Sequence, residues 1–377
     1  MTTRVVIAGV TGRGAEHLRA VLANPDYTLV GVHDPDIATA LAAAAGPGVP
    51  LIRSLTELCE DVETDAVVLD LPPADRFGWA KGALLSGYHV LCEAPTSLLA
   101  AGGYDLGRLA RGDGLRLQVA HLHRFAHPWA TAARVVRDGT LGPIYRANLT
   151  ATALFAGGLP GPPRPDGEAW SEDGGGVLMT TGLAAVDALL GLVGRPTRVI
   201  ALAAASRRRG DVEDDVSALV EWEAGGRGVV TVSTCDYGGE QRITLYGDRG
   251  VLDLDEHRVR IARAPDSVAR LSRGGPAGVQ HPELTWEDVP PAADTPSDAD
   301  GALRACHADF VAAIAARREP QVESATGTLA VEFANAAYLS VLTGQAIALP
   351  LDYDRYARLF LRLCRGELRL PERTMPG

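Results

Sequence analysis

The chain has 377 residues, 46% of them hydrophobic and 22% charged, with a formal net charge of −11 at pH 7; it is long for one core and suits two domains. The negative charge argues against nucleic acid and anionic membrane as partners. No apolar run reaches the ~18 residues of a membrane span, and no signal peptide precedes the first strand. Five scattered cysteines without a C-x-x-C fit reduced thiols and a cytoplasmic location.

The first stretch organises the rest. Val5-Val6-Ile7-Ala8 is an apolar run of strand type that meets Gly9-Val10-Thr11-Gly12-Arg13-Gly14, and a helical pattern follows at Leu18, Val21 and Leu22. This is the first strand–turn–helix of a dinucleotide-binding unit. Gly9 permits the tight turn and Gly14 the close packing of helix on sheet. Thr11 stands at the middle position of the glycine pattern, and Gly12, one residue on, serves the close backbone approach. The N–H groups of the turn, with Arg13 beside them, face an anionic pyrophosphate. Asp34 follows about 20 residues later, where a carboxylate accepts hydrogen bonds from the adenosine ribose and repels a 2′-phosphate. NAD is therefore expected as cofactor, in preference to NADP.

Strands and helices then alternate. Tyr27–His33 reads as the second strand and residues 38–45 as a short helix; Leu51-Ile52 leads to a helix near residues 55–60. Residues 65–71 form a buried strand closed by Pro72-Pro73, 77–86 a helix, 88–92 a strand ending at Glu93-Ala94-Pro95, 104–111 a helix and 115–122 a strand. The pattern predicts a parallel, doubly wound sheet. Near residue 125 it changes. An amphipathic helix over 128–138 is followed by long strands at 144–154, 197–205, 216–223, 228–236, 241–246, 250–254 and 258–262, which read as hairpins of an open, mainly antiparallel sheet. A Pro/Gly-rich loop at 157–167 and a helix over 176–193 are inserted in it. Residues 264–300 read as a surface excursion, 301–317 and 326–342 as helices, and the tail as one more amphipathic helix near 353–364. The run Arg207-Arg208-Arg209 with Asp211, Glu213, Asp214 and Asp215 reads as a solvated, charge-balanced hairpin tip.

The order of several motifs resembles the Gfo/Idh/MocA family, from about residue 4 to about 350. They are Gly12-Arg13-Gly14-x-x-His17, Leu71-Pro72-Pro73, His89-Val90-Leu91-Cys92-Glu93-x-Pro95, Arg124-Phe125, Asp138-Gly139-x-Leu141-Gly142, Gly174-Gly175-Gly176 with Asp187, Tyr246-Gly247-x-x-Gly250 and Thr343-Gly344-x-x-x-x-Leu349-Pro350. The resemblance implies a Rossmann domain over 1–123, a substrate and oligomerisation domain with an open-faced antiparallel sheet over 124–350, and a tail over 351–377. It implies NAD(P)-dependent oxidoreduction of a small polar, sugar-like or secondary-metabolite substrate. It also implies that Leu71, Pro72, Glu93, Ala94, Pro95 and His121 border the cofactor, and that the chain forms a homo-oligomer, dimer or tetramer. The departures are specific. The family's usual Glu-Lys-Pro reads Glu93-Ala94-Pro95 here, and its usual aspartate and histidine after the glycine run align with Thr180 and Ala184.

Hydroxyl oxidation needs a group to exchange the hydroxyl proton. Among the remaining side chains His123 is the candidate, since a histidine's ordinary pKa near 6.5 suits the task; packing and interdomain hydrogen bonding suit the same residue. Arg124 and Asp187 are candidates to position polar groups, or to form a salt bridge. Thr180 and Thr181 are candidate substrate contacts, or helix caps. Trp170 is a candidate stacking surface, or a hydrophobic plug. A metal site on His121, His123 and His127 lacks a neighbouring carboxylate in the sequence, and none is expected. Two other functions stay open: a non-redox cyclase, lyase or isomerase, and a non-catalytic cofactor-binding protein.

Overall fold

The computed structural model describes residues 2–154, 165–204, 211–274, 278 and 283–371. In chain order the elements are β1 (Thr3–Ala8), α1 (Arg13–Ala23), β2 (Tyr27–His33), α2 (Ile37–Ala45), α3 (Leu55–Asp61), β3 (Ala66–Leu69), α4 (Pro73–Leu85), β4 (His89–Cys92), α5 (Ala100–Gly112) and β5 (Leu117–Val119). There follow α6 (Trp129–Arg137), β6 (Ile144–Leu154), α7 (Glu168–Asp173), α8 (Leu183–Val193), β7 (Arg198–Ala204), β8 (Asp215–Glu221), β9 (Arg227–Ser233), β10 (Cys235–Gly247), β11 (Gly250–Asp255), β12 (Val259–Arg263), α9 (Val268–Gly274) and β13 (Trp286–Asp288). The last are α10 (Ala299–Ala316), α11 (Ser324–Gly327), α12 (Leu329–Thr343), β14 (Ile347–Ala348) and α13 (Tyr353–Cys364). No helix among the described residues is long and apolar enough to cross a membrane.

The chain forms two compact units, one of residues 1–122, 172–174 and 299–328, the other of residues 123–171, 175–298 and 329–377. The first is built on a parallel sheet in the order β2-β1-β3-β4-β5. Leu51 adds a parallel bridge to Val32 outside β2, completing the order of a nucleotide-binding sheet. Every residue of β3 is fully buried, as expected of strands covered on both faces. Residues 299–328 belong to this unit rather than to the domain in which their position in the chain placed them. A 3.6-residue apolar period marks a helix but not the sheet it packs on. Here α10 brings Cys306, His307 and Phe310 into the core of the first unit.

The second unit is a sheet in the order β13-β12-β11-β10-β6-β9-β8-β7-β14, antiparallel except where β6 runs parallel to β9. Alternation along β7 and β8 buries Val199, Ala201, Val216, Ala218 and Val220 on one face; α12 packs on β7, and α8, beside it, packs on β6. The other face shows Ile200, Leu219 and Val229 in register across three strands.

Two expectations need correction. The inserted helix starts at Leu183, not 176: Gly174 and Gly175 take φ of 83° and 146°, outside the helical region, so residues 174–182 form a string of turns. The acidic run is no solvated tip: Asp211, Glu213 and Asp214 are buried. Arg207–Arg209 and most of the 157–167 loop lie outside the described residues.

Candidate functional site

The cofactor-binding elements sit at the carboxyl ends of β1 to β4 in the first unit. Gly9 has φ +92°, and a Cβ there would lie 2.2 Å from the Asp70 carbonyl oxygen; one on Gly14 would lie 2.3 Å from that of Gly9. Both positions therefore exclude a side chain. Gly12 stands in open space with φ +52°, and the turn closes by Gly14 N–H donating to the Thr11 carbonyl at 2.8 Å. The Asp34 carboxylate accepts from Val10 N–H (2.9 Å) and Asp36 N–H (2.9 Å). It is clamped between turn and strand end, with a further lone pair on each oxygen for ribose hydroxyls. These features fit an adenine dinucleotide: a cradle without Cβ atoms, a helix N-terminus and an oriented acid.

Arg76, which sequence reasoning missed, knits the strand ends together. It donates to Leu71 O (2.7 Å), Ala94 O (2.6 Å) and Asp70 Oδ1 (3.3 Å), fixing the backbone on either side of Pro72 and Pro95. Burial, and then the nearby Glu93, push the Asp70 carboxyl up to about 6. Glu93 is buried, 3.0 Å from His17 Nε2 and 3.8 Å from Arg13 Nε. His121 is buried and bonds through Nε2 to the Gly327 carbonyl oxygen at 3.0 Å.

The second unit carries the other group of candidates. Asp187, wholly buried on α8, accepts both Arg124 Nε (2.7 Å) and Nη2 (2.6 Å) and lies 2.9 Å from His123 Nε2. The missing neighbour of the histidines is thus a carboxylate 64 residues away in the chain, and a bidentate arginine already holds it. Arg124, itself buried, stacks on Trp129 at 5.6 Å. Trp129 in turn donates to the Ala188 carbonyl at 2.8 Å. Arg124 is therefore committed to Asp187, and its expected part in positioning polar groups runs through that carboxylate.

His123, with its side chain 26% exposed, lines a cavity of about 230 Å³. Trp129, Leu149, Ala184, Ala188 and Ile243 make the wall mostly apolar, while Gln241 on β10 and Asp255 and Glu256 at the end of β11 add polar groups. Ala184, which the resemblance aligns with the family's usual histidine, and His123, from another element, line the same cavity. Thr181 lines a smaller adjoining cavity of about 160 Å³ that shares Gln241 and Glu256. Thr180 lies in the turns before α8 and donates to the Gly176 carbonyl at 2.7 Å. Trp170 is no stacking surface for a ligand: it is fully buried, donates to Asp211 O at 3.3 Å and packs edge-on against Tyr338 at 4.9 Å. An indole beside so much apolar chain is worth most in the core.

Glu213 was also missed. It holds the turns that lead into α8, accepting from Gly176 N–H, Leu178 N–H (both 2.9 Å) and the Tyr338 hydroxyl (2.8 Å). Burial pushes its carboxyl from 4.5 up to about 7, against the pull of those donors. The folded state then binds more protons than the unfolded chain between these values. The group's contribution to stability is full below pH 4.5 and is lost as pH rises through about 7. Glu213→Gln is expected to remove that fall, read as the difference in urea midpoint between pH 5 and pH 8; an unchanged difference refutes the assignment.

A glycine cradle with a clamped acid on a parallel sheet, joined to a mainly antiparallel sheet bearing a histidine-lined cavity, defines the class of nicotinamide-dependent oxidoreductases. Residues 3–121 match the oxidoreductase family with the NAD-binding Rossmann fold, and residues 129–253 match the GFO/IDH/MocA C-terminal domain. A dTDP-3,4-didehydro-2,6-dideoxy-alpha-D-glucose 3-reductase of Streptomyces antibioticus is 31% identical over 272 residues, 67% of this chain and 78% of that one. A D-xylose 1-dehydrogenase (NADP(+)) of Haloferax volcanii is 28% identical over 227 residues, 58% of this chain and 66% of that one. Among solved structures, levoglucosan dehydrogenase in complex with NADH and levoglucosan has the same fold. Its TM-score is 0.80 over 93% of this chain and 100% of its own, at 18% identity. The chain belongs to the Gfo/Idh/MocA family of oxidoreductases, and its first unit is an NAD-binding Rossmann domain.

Proposed function

We propose that the chain is an NAD(P)-dependent oxidoreductase acting on a sugar-like or secondary-metabolite carbonyl or alcohol, with His123 as its proton-exchanging group. The bound nicotinamide supplies or accepts the hydride. The observation that carries the proposal is His123 lining the cavity with its Nε2 2.9 Å from the buried Asp187 carboxylate, which Arg124 backs. A base oriented by a buried carboxylate is a recurring device for fixing an imidazole tautomer. The mostly apolar wall around Ala184 and Ala188 favours a deoxygenated ring over a fully hydroxylated one, since each unpaired hydroxyl buried there has a cost. Deoxysugar ketones linked to a nucleotide, the substrate class named for the Streptomyces relative, are therefore the first to assay, with NADH oxidation followed by absorbance. Turnover of such ketones that is lost in His123→Ala supports the proposal; turnover that is indifferent to His123 refutes it.

NAD is the preferred cofactor in this proposal, because the Asp34 carboxylate stands where a 2′-phosphate would. Asp34→Ala is expected to weaken NAD binding and narrow the preference; equal affinity of the unmutated protein for NAD and NADP by calorimetry excludes it. The exposed row Ile200–Leu219–Val229 supports a homo-oligomer built on that sheet face, since such a patch is stable in water when covered. Light scattering at micromolar concentration is expected to give a dimer or tetramer, and a monomer mass counts against it. A cytoplasmic location accords with five cysteines outside any disulfide.

A further inference from the structure

A second polar system lies wholly within the first unit and has no part in the chemistry proposed above. Glu93 Oε1 is 3.0 Å from His17 Nε2, His17 Nδ1 is 2.9 Å from His307 Nε2, and His307 Nδ1 is 3.2 Å from the Tyr27 hydroxyl. That hydroxyl is also 3.5 Å from the carbonyl oxygen of His307. His17 and His307 are 0% and 1% exposed, Tyr27 and Glu93 7% and 8%. Four side chains, from α1, β2, the residue after β4, and α10, thus form one buried hydrogen-bonded chain.

Its proton positions follow from valence. An ionised Glu93 only accepts, so His17 Nε2 carries hydrogen. A neutral His17 then accepts at Nδ1, His307 donates from Nε2, and His307 Nδ1 accepts from Tyr27. Every bond points toward Glu93. One added proton gives a second complete arrangement on the same heavy atoms. His17 donates from both nitrogens, His307 accepts at Nε2 and donates from Nδ1 to the tyrosine oxygen, and Tyr27 turns its hydrogen to the His307 carbonyl. Two bonds reverse and no atom is left unpaired. Burial, and then the neighbouring His17, push His307 down to about 3, which disfavours the proton on His307. Burial keeps the Tyr27 phenol protonated.

Glu93 directly follows β4. A dinucleotide held by Asp34, just after β2, and by the glycine turn after β1 would extend its other half toward β3 and β4. Glu93, at one end of the chain of side chains, would then lie on the nicotinamide side, and the oxidised nicotinamide carries one more positive charge than the reduced. We propose that Glu93–His17–His307–Tyr27 is a one-proton store coupled to the cofactor's charge. It releases a proton to solvent when the oxidised form binds and retains it beside the reduced form. His17, His307 and Tyr27 are positioning residues that act through Glu93. The charged and titratable groups around the chain are Arg13 on α1, Asp70 at the end of β3 with its partner Arg76 on α4, Asp26 before β2, and Cys306 and Asp309 on α10.

The test measures Kd for NAD and for NADH by calorimetry between pH 5 and pH 9, in two buffers of different ionisation enthalpy. With one linked proton, Kd(NAD)/Kd(NADH) is expected to rise as pH falls, by up to tenfold per pH unit across the transition. Binding of NAD is expected to release close to one proton there, seen as a buffer-dependent enthalpy. In His17→Gln, whose amide still donates to Glu93, the ratio is expected to become flat. In His307→Leu the transition is expected to move to lower pH. A purely structural role would shift both affinities together and leave their ratio independent of pH. A flat ratio with no buffer dependence in the unmutated protein overturns the proposal. So does a ratio flattened by Asp70→Asn and unaffected by His17→Gln, which would place the proton on Asp70.

Discussion

Asp187→Ala is expected to lower the stability of the second unit by about 3–5 kcal/mol, the cost of leaving a buried guanidinium without its counter-ion. Asp187 is fully buried and Arg124 only 5% exposed, and their two hydrogen bonds of 2.6 and 2.7 Å form a bidentate pair. Removing one partner strands a charge, whereas removing both does not. The double variant Arg124→Leu/Asp187→Leu is accordingly expected to lose less than Asp187→Ala alone, because packed apolar groups replace an expensive ion pair. Urea unfolding of the three proteins measures both statements. A loss under 1 kcal/mol in Asp187→Ala would mean that Arg124 reaches water or another anion and that the pair does not hold the wall of the cavity.

The parts of the fold legible in the sequence are those whose chemistry is local. Gly9, Gly14 and Asp34 are recognisable because a tight turn, a close helix and a ribose acid recur at set spacings in one strand–turn–helix–strand stretch, and the structure clamps Asp34 to Val10. Arg124 and Asp187 are legible at family positions and His123 as a titratable neighbour; that Arg124 pairs with Asp187 and that His123 Nε2 lies 2.9 Å from the same carboxylate is not. What was not legible depends on long-range pairing. His17 and His307 are 290 residues apart and meet only because α10 returns to the first unit. Glu213 reads as one acid among several, and nothing in its immediate sequence says that two backbone N–H groups 35 and 37 residues earlier bind it. Trp170 shows the converse error: an aromatic next to a Pro/Gly-rich loop invites a ligand, yet its ring is a core side chain packed edge-on against Tyr338. Residues 299–328 return to the first unit, which contiguity in sequence does not reveal.

Oxidation of simple sugars and inositols is expected to be almost undetectable, while conversion of the true substrate is expected to depend on His123. Ala94 and Ala184 have no proton to exchange, and the Thr180 hydroxyl is bonded to the Gly176 carbonyl. A general acid or base contributes about 10²–10⁴-fold, so a substrate that relies on those three positions loses at least that factor. On the proposed function, a substrate shaped to the cavity meets His123 instead, whose Nε2 lies 2.9 Å from the carboxylate that Arg124 pairs with. His123→Ala is then expected to lower kcat on that substrate by about 10²–10⁴-fold, with little change in NAD affinity, since the cofactor elements belong to the first unit. Steady-state kinetics on the unmutated protein, and on the variant across pH 5–9, decide the matter. Brisk NAD reduction with glucose or inositol would show that the replaced positions were never required. Full kcat in His123→Ala would remove the imidazole from the chemistry, and a non-redox use of the same cavity would become the better account.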